Sequence, residues 1–354
     1  MKASSNSVNY KNKNYKLFNN YVDFKTITRA NTSKKNWFLA FFDSVYWKIL
    51  WKIIKIMLEF IAIAWVVITI TFFLINSIPG SSFSNPGASE AARKAIEAKY
   101  GLNLPIGERY LLYLKNILRG DFGISFTVQP DVPINDFIWH RFFISFVIGI
   151  FSVFLTVFIG IPIGVWVGKN PGGLLDQVST IVVSVFSSIP SLVFALLLVL
   201  IGRELNIPYT FDIKNFATYI LPGLALSLGS IIVYIKYIRT EMNRELNSMH
   251  AKFASLKGMK RRVFVWRHAL KPSLFPIATF FPAVIFGSFI GSLFVEQIFQ
   301  IAGSGGALIS AITSKDYNVI LFLVVMFSLL TILSFTFRDI LYEAIDPRVR
   351  RRGR

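Results

Sequence analysis

Few residues in this chain are of types and spacings that do covalent or metal chemistry. Gly168-Lys169-Asn170 places a lysine after a glycine, as in a phosphate-binding loop. There, backbone N–H groups cradle the phosphates, the lysine reaches them, and a Ser or Thr hydroxyl holds Mg. The motif needs a second glycine five residues before Gly168, where Ile163 stands, and a hydroxyl at Asn170, so it fails twice. His140, His250 and His268 lie on separate segments, each without a second ligand nearby. The chain has no Cys, which excludes disulfides and thiolate metal sites. Glu59 lies within about one turn of the inner end of an apolar run, where a carboxylate can snorkel to the interface. Arg119-Gly120-Asp121 is too short to specify adhesion. These residues imply no catalytic constellation, no metal site and no nucleotide site.

The elements that must carry any function are apolar. The 354 residues are 54% hydrophobic, include 35 Phe and carry a formal net charge of +19. A soluble monomer this apolar would expose large hydrophobic patches to water, whereas a bilayer solvates them. A spanning helix needs about 20 apolar residues. Six segments qualify, at about 56–78, 143–167, 178–201, 217–238, 274–295 and 319–341, separated by turn residues such as Pro79-Gly80 and Gly303-Ser304-Gly305-Gly306. Residues 1–50 read as a basic, flexible tail with no cleavable leader, and 37–46 as an amphipathic lead-in at the membrane surface. The basic charge is divided between the apolar runs, so no contiguous face remains for nucleic acid.

Lys and Arg placement sets the expected orientation. Residues 2–55 hold eleven basic side chains against Asp23 and Asp43, and 236–271 hold ten against Glu241 and Glu245. Five arginines follow Asp346-Pro347. The alternate segments are near balance, with seven basic and six acidic residues in 79–142. Both termini and the 236–271 segment are therefore expected in the cytoplasm, in a multi-pass plasma-membrane protein. Gly160, Gly164 and Gly168 form a double GxxxG, and Gly287 and Gly291 form another; glycines four apart let helix backbones approach. Pro162 predicts a kink.

The segment with most information is the loop at 245–272. It reads as a short helix, a turn at Gly258 and a second helix ending before Pro272. Val263, Trp266, Ala269 and Leu270 recur at helical spacing among Lys260, Arg261, Arg262, Arg267 and Lys271. An apolar stripe with a cationic rim suits docking into a groove of another protein; it equally suits anionic headgroups.

This loop resembles the signature of ABC-importer permeases, in the form found in the oligopeptide and dipeptide branch: Ala254, Gly258 four residues on, then Arg267-His268-Ala269-Leu270. The resemblance extends from about residue 51 to 350. It includes Leu118-Arg119-Gly120-Asp121-Phe122-Gly123, Ser188-Ile189-Pro190-Ser191, Phe294-Val295-Glu296, Gly303-Ser304-Gly305, Asp316-Tyr317 and Asp346-Pro347-Arg348. Lys252 and Lys271 stand where the wider family has Glu and Pro, Ala302 and Asn318 where the branch generally has Pro, and the basic tail is extra.

The resemblance implies an all-α membrane protein with the six-helix transmembrane domain of a type I ABC importer. It implies a non-enzymatic subunit that moves oligopeptides or dipeptides inward by alternating access. Two separate ATPase subunits would bind the ATP and Mg, so the chain itself needs no cofactor. The further partners would be a second homologous permease subunit and an extracytoplasmic solute-binding lipoprotein, received by the external segment 79–142, where 91–100 and 109–118 have amphipathic spacing. Ala254, Gly258, Arg261, Trp266, His268, Ala269 and Leu270 would couple ATPase closure to the spans. Ser187, Ser188, Pro190 and Ser191 would offer small polar groups to a wet peptide path, unless the hydroxyls bond back to their own helix. An ion-coupled secondary transporter would need ionisable groups at mid-membrane or inverted repeats, and a non-transporting scaffold would use the basic surfaces only for binding. Permeases resembling this branch carry oligopeptides, dipeptides, nickel complexes or glutathione.

Overall fold

The computed structural model describes residues 45–77, 94 and 104–345. The tail before residue 45, most of the 37–46 lead-in, the 91–100 stretch apart from residue 94, and the Asp346-Pro347-Arg348 motif lie outside them. Thirteen helices follow in order among the described residues: α1 (Val45–Asn76), α2 (Ile106–Leu118), α3 (Ile134–Leu155), α4 (Ile161–Gly168), α5 (Leu174–Ser188), α6 (Ser191–Glu204), α7 (Ile220–Leu246), α8 (Met249–Leu256), α9 (Arg261–Phe264), α10 (Leu270–Ile290), α11 (Leu293–Ile298), α12 (Ser304–Thr313) and α13 (Tyr317–Ile345). Five continuous stretches are long and apolar enough to cross a bilayer: Ile53–Asn76, Ile134–Gly168, Phe216–Leu246, Arg261–Ile298 and Tyr317–Leu341. The pair α5 and α6 meets the same test jointly but is bent by 98°. Counted as one broken span, it completes the expected six.

Three departures from regular helix stand at prolines, whereas Pro276 and Pro282 lie within α10. The residue before a proline is disfavoured in the α region. Ile189 accordingly adopts an extended conformation (φ −82°, ψ 121°), and α6 restarts only after Pro190. Inside a helix, a proline ring clashes with the carbonyl four residues back. For Pro162 and Pro272 that carbonyl belongs to Phe158 and His268, and both lie in π turns, at Thr156–Gly160 and Val265–Ala269. The wider turn lets the chain carry on, so the helix from Arg261 runs through Pro272 rather than ending before it as the sequence suggests. The part of the 245–272 segment from Arg261 onward and the fifth span are thus one rod, a continuity that the proline at 272 hides in the sequence.

Close approach between α4 and α7 follows from glycine. A Cβ on Gly160, Gly164 or Gly168 would lie 3.1, 2.9 or 2.9 Å from the Cβ of Tyr234, Ile238 or Met242. Both series advance by four residues in the same direction, so α4 and α7 run parallel, as the second and fourth spans of an alternating topology must. Gly287 and Gly291 play no such part within this chain. Gly287 has no neighbour within 4 Å of a Cβ position, and Gly291 terminates α10 at φ 71°. The contact with α3 passes instead through Gly149, whose Cβ position falls on Ser288.

Five buried clusters hold the bundle among the described residues; the two smallest join Phe72 and Ile75 to Tyr317 and Leu321, and Val183 to Ile231, Ile232 and Ile235. Of the larger three, one joins Ile144 and Ile148 of α3 to Leu198, Leu221 and Phe299. A second joins Ile134, Ile138 and Phe142 to Ala307, Ala311, Phe322 and Leu323, burying the first turn of α12 and one side chain further on. The third unites Val165, Tyr234, Ile238 and Met242 with Phe264, Val265 and Ala269, seating the loop on α4 and α7. Between spans, where lipid tails are as apolar as these side chains, what such clusters contribute is close van der Waals packing.

Candidate functional site

The loop after α7 begins at Ser248, whose hydroxyl caps α8 by accepting from the Ala251 N–H at 3.3 Å. The helix ends at Gly258 (φ 77°), with the Gly258 N–H donating to Ser255 O at 2.9 Å and the Met259 N–H to Ala254 O at 3.0 Å. These are the two bonds of a Schellman cap. They give Ala254 and Gly258 a backbone reason: one supplies the terminal carbonyl and the other the left-handed residue. No atom lies within 4 Å of a Gly258 Cβ, so substitution there is opposed by backbone conformation alone. Gly258→Val is expected to cost about 1–2 kcal/mol and to raise hydrogen exchange at residues 257–259 without changing exchange in α10.

The expected apolar stripe divides between two faces. Ala269 is fully buried and Leu270 half-buried against the third cluster, whereas Val263 and Trp266 stay exposed. His268 is exposed and stacks on Phe264, with ring centroids 5.7 Å apart. Met249, Phe253 and Leu256 join the exposed set from α8, Leu256 at 82% exposure. Their spacing of four and three residues puts them on one helix face, a signal that the sequence carries beside the 263–270 stripe. Lys252, Lys257, Lys260, Arg262 and Arg267 of the same segment are exposed as well. Arg261 turns the other way, donating from Nη2 to Lys169 O at 2.9 Å.

The four residues proposed for a path sit at the α5–α6 break. Ser187 donates to Val183 O at 2.6 Å and Ser188 to Ser184 O at 2.9 Å. Both hydroxyls bond back to their own helix, yet both side chains remain exposed. Ser187 Oγ also accepts from Lys236 Nζ at 3.4 Å. Pro190 and Ser191 open α6.

Three buried carboxylates organise the rest. Asp176, in the first turn of α5, accepts from the Gly172 N–H at 2.9 Å and from Nε and Nη2 of Arg239 on α7, the latter at 3.1 Å. Glu296 of α11 accepts from Ser145 Oγ and the Gly306 N–H, each at 2.7 Å, while Ser145 Oγ accepts from the Ser304 N–H at 2.8 Å. Asp316 Oδ2 accepts from Ser125 Oγ at 2.6 Å and from the N–H groups of Phe126, Thr127 and Val128 at 3.0, 2.9 and 3.1 Å. Glu296 and Asp316 were marked in the sequence only by motif resemblance, and Asp176 by nothing beyond an acid at a helix start. Among the described residues, no three His, Cys, Asp or Glu side chains converge as a metal site would require.

The family model described as "Binding-protein-dependent transport system inner membrane component" matches residues 160–351. The chain is 34% identical over 304 residues to the oligopeptide transport system permease protein of Escherichia coli (strain K12), covering 84% of this chain and 98% of that protein. It is 33% identical over 302 residues to the oligopeptide transport system permease protein of Haemophilus influenzae, with the same two coverages. Against the dipeptide transport system permease protein of Lactococcus lactis it is 31% identical over 288 residues, covering 80% of this chain and 94% of that one.

Proposed function

Because the chain belongs to the binding-protein-dependent transport system inner membrane components, we propose that it imports oligopeptides or dipeptides as one membrane subunit of an ATP-driven complex. It is a multi-pass membrane protein and a permease rather than an enzyme. In this reading two separate ATPase subunits hydrolyse ATP, a second permease subunit completes the pathway, and an extracytoplasmic binding protein delivers the peptide. Relatives named for oligopeptide and dipeptide transport support the cargo class.

The observation that carries the coupling role is a set of exposed apolar side chains interspersed with exposed Lys and Arg: Met249, Phe253 and Leu256 on α8, and Trp266 on the helix that runs on from Arg261 into the fifth span. An ATPase cleft closing on α8 would act on α10 through the Gly258 turn and α9, and from Arg261 onward only the π turn intervenes. Gly258 fixes the angle between α8 and α9, and Ala269 and Leu270 seat the rod against the bundle. The loop and both termini are placed in the cytoplasm by their Lys and Arg excess. Residues 79–142 form the receiving surface outside, and the α5–α6 break, with Ser187, Ser188, Pro190 and Ser191, borders the path.

Phe253→Glu combined with Leu256→Glu tests the docking face. Both side chains are exposed, so the permease is expected to insert and fold as the wild type does. Co-purification of the ATPase subunits in detergent, where lipid attraction plays no part, should be lost. Retained ATPase at wild-type stoichiometry would remove the docking role from this face.

A further inference from the structure

We propose that Asp176 is a positioning residue that carries movement of the cytoplasmic loop into the broken pair α5–α6. The inference rests on the coupling role given to the loop above. One carboxylate of Asp176, only 6% exposed, holds both the turn before α5, through the Gly172 N–H, and α7, through the Arg239 guanidinium. The other end of the same turn is held by the loop, since Arg261 Nη2 donates to Lys169 O at 2.9 Å. Residues 169–176 therefore form a short strut gripped by α9 at one end and α7 at the other.

Two further features make the strut the natural route into α5. Only Asp176 and Val183 are buried along that helix, so within this chain α5 is held chiefly at its first turn and by one packing contact with Ile231, Ile232 and Ile235. A groove of about 450 Å³, lined by Pro171, Asn247, Ala251, Lys252 and Ser255 among others, separates the turn from α8. The strut thus meets α9 through a polar contact beside open space, which lets the contact shift. A bidentate Arg–carboxylate pair, being directional, suits the transfer of displacement.

This chain has no cysteine of its own, so spin labels can be placed on it at chosen sites once any cysteines of the partner subunits are replaced. Labels at Ser184→Cys on α5 and Thr240→Cys on α7, both exposed, would be followed in the complete complex, with its ATPase subunits, before and after trapping with ATP and vanadate. Wild type is expected to show a change in the α5–α7 distance. Asp176→Asn should assemble and hydrolyse ATP to within about twofold of wild type, yet lose most of that change, with the equilibrium between the two distances moved by about tenfold. Asp176→Glu, which keeps the charge, should restore it, and Arg261→Gln, which cuts the opposite end of the strut, should reproduce the loss. An unchanged distance shift in Asp176→Asn and Arg261→Gln overturns the proposal. So does loss of assembly or hydrolysis together with the shift, which would mark a structural staple. A wild-type complex that hydrolyses ATP with no distance change would overturn the coupling reading along with it.

Discussion

Gly291→Ala is expected to leave almost no correctly folded permease, whereas Gly287→Ala, one helical turn earlier, should be indistinguishable from wild type. Gly291 has φ 71° and ψ −167°, a region essentially reserved for glycine that costs other residues on the order of 1–3 kcal/mol. A Cβ there would also fall on Glu296 Oε1 and 2.9 Å from Ser145 Oγ. Relieving that overlap means expelling a buried carboxylate from its bonds to Ser145 and Gly306. Bonds to a charged group contribute about 1.5–3 kcal/mol each, and the orphaned donors add a further penalty. The total exceeds about 4 kcal/mol, in the range of the most damaging single substitutions. At Gly287 nothing lies within 4 Å of the new methyl. The measurement is the yield of monodisperse protein in detergent and its thermal midpoint. Similar values for the two variants would show that the Gly291–Glu296 contact does not hold the end of α10.

Asp316→Ala is the second large effect, and it should be local. Oδ2 of Asp316 gathers one hydroxyl and three consecutive backbone N–H groups from residues 125–128, while Oδ1 caps α13 through the Val319 N–H at 3.4 Å. Removing the carboxylate leaves three adjacent backbone donors without an acceptor, at about 1–3 kcal/mol for each one that water cannot reach. The segment 122–132 should open while the spans persist. Hydrogen exchange at residues 126–128 is expected to rise steeply, with exchange in α7 and α10 unchanged. Since the same segment belongs to the proposed receiving surface, import dependent on the binding protein should fall further than basal ATP hydrolysis. Unaltered protection of residues 126–128 would refute the anchoring role.

How far the sequence could be read depended on whether the governing interaction was local or distant. The apolar runs announced the spans because the requirement they satisfy, about 20 residues across hydrocarbon, is a property of each segment alone. Gly160, Gly164 and Gly168 announced a close helix contact for the same reason, since their spacing defines a face whatever it meets. Gly287 and Gly291 have that spacing too, but a helix terminus intervenes, and the second glycine serves the cap. In the loop, Gly258 was legible as a turn because a Schellman cap is built within six residues. The orientation of Ala269 against Trp266 was not, because it depends on the π turn ahead of Pro272 and on the pocket offered by α4 and α7.

The sequence by itself determined a six-span basic membrane protein and its family, through segment hydropathy, Lys and Arg placement and collinear short motifs. Tertiary structure alone decided which polar groups matter. Asp176 and Arg239 are 63 residues apart, Ser145 and Glu296 are 151 apart, and Ser125 and Asp316 are 191 apart. No periodicity links such pairs. Each carboxylate is tolerated in a buried position because folding delivers its donors from another helix or turn, and desolvation penalises the charge unless they arrive together. The loop that first stood out for its residue types keeps its importance, but its path into the membrane domain became visible only when α9 and α10 were found to be one rod.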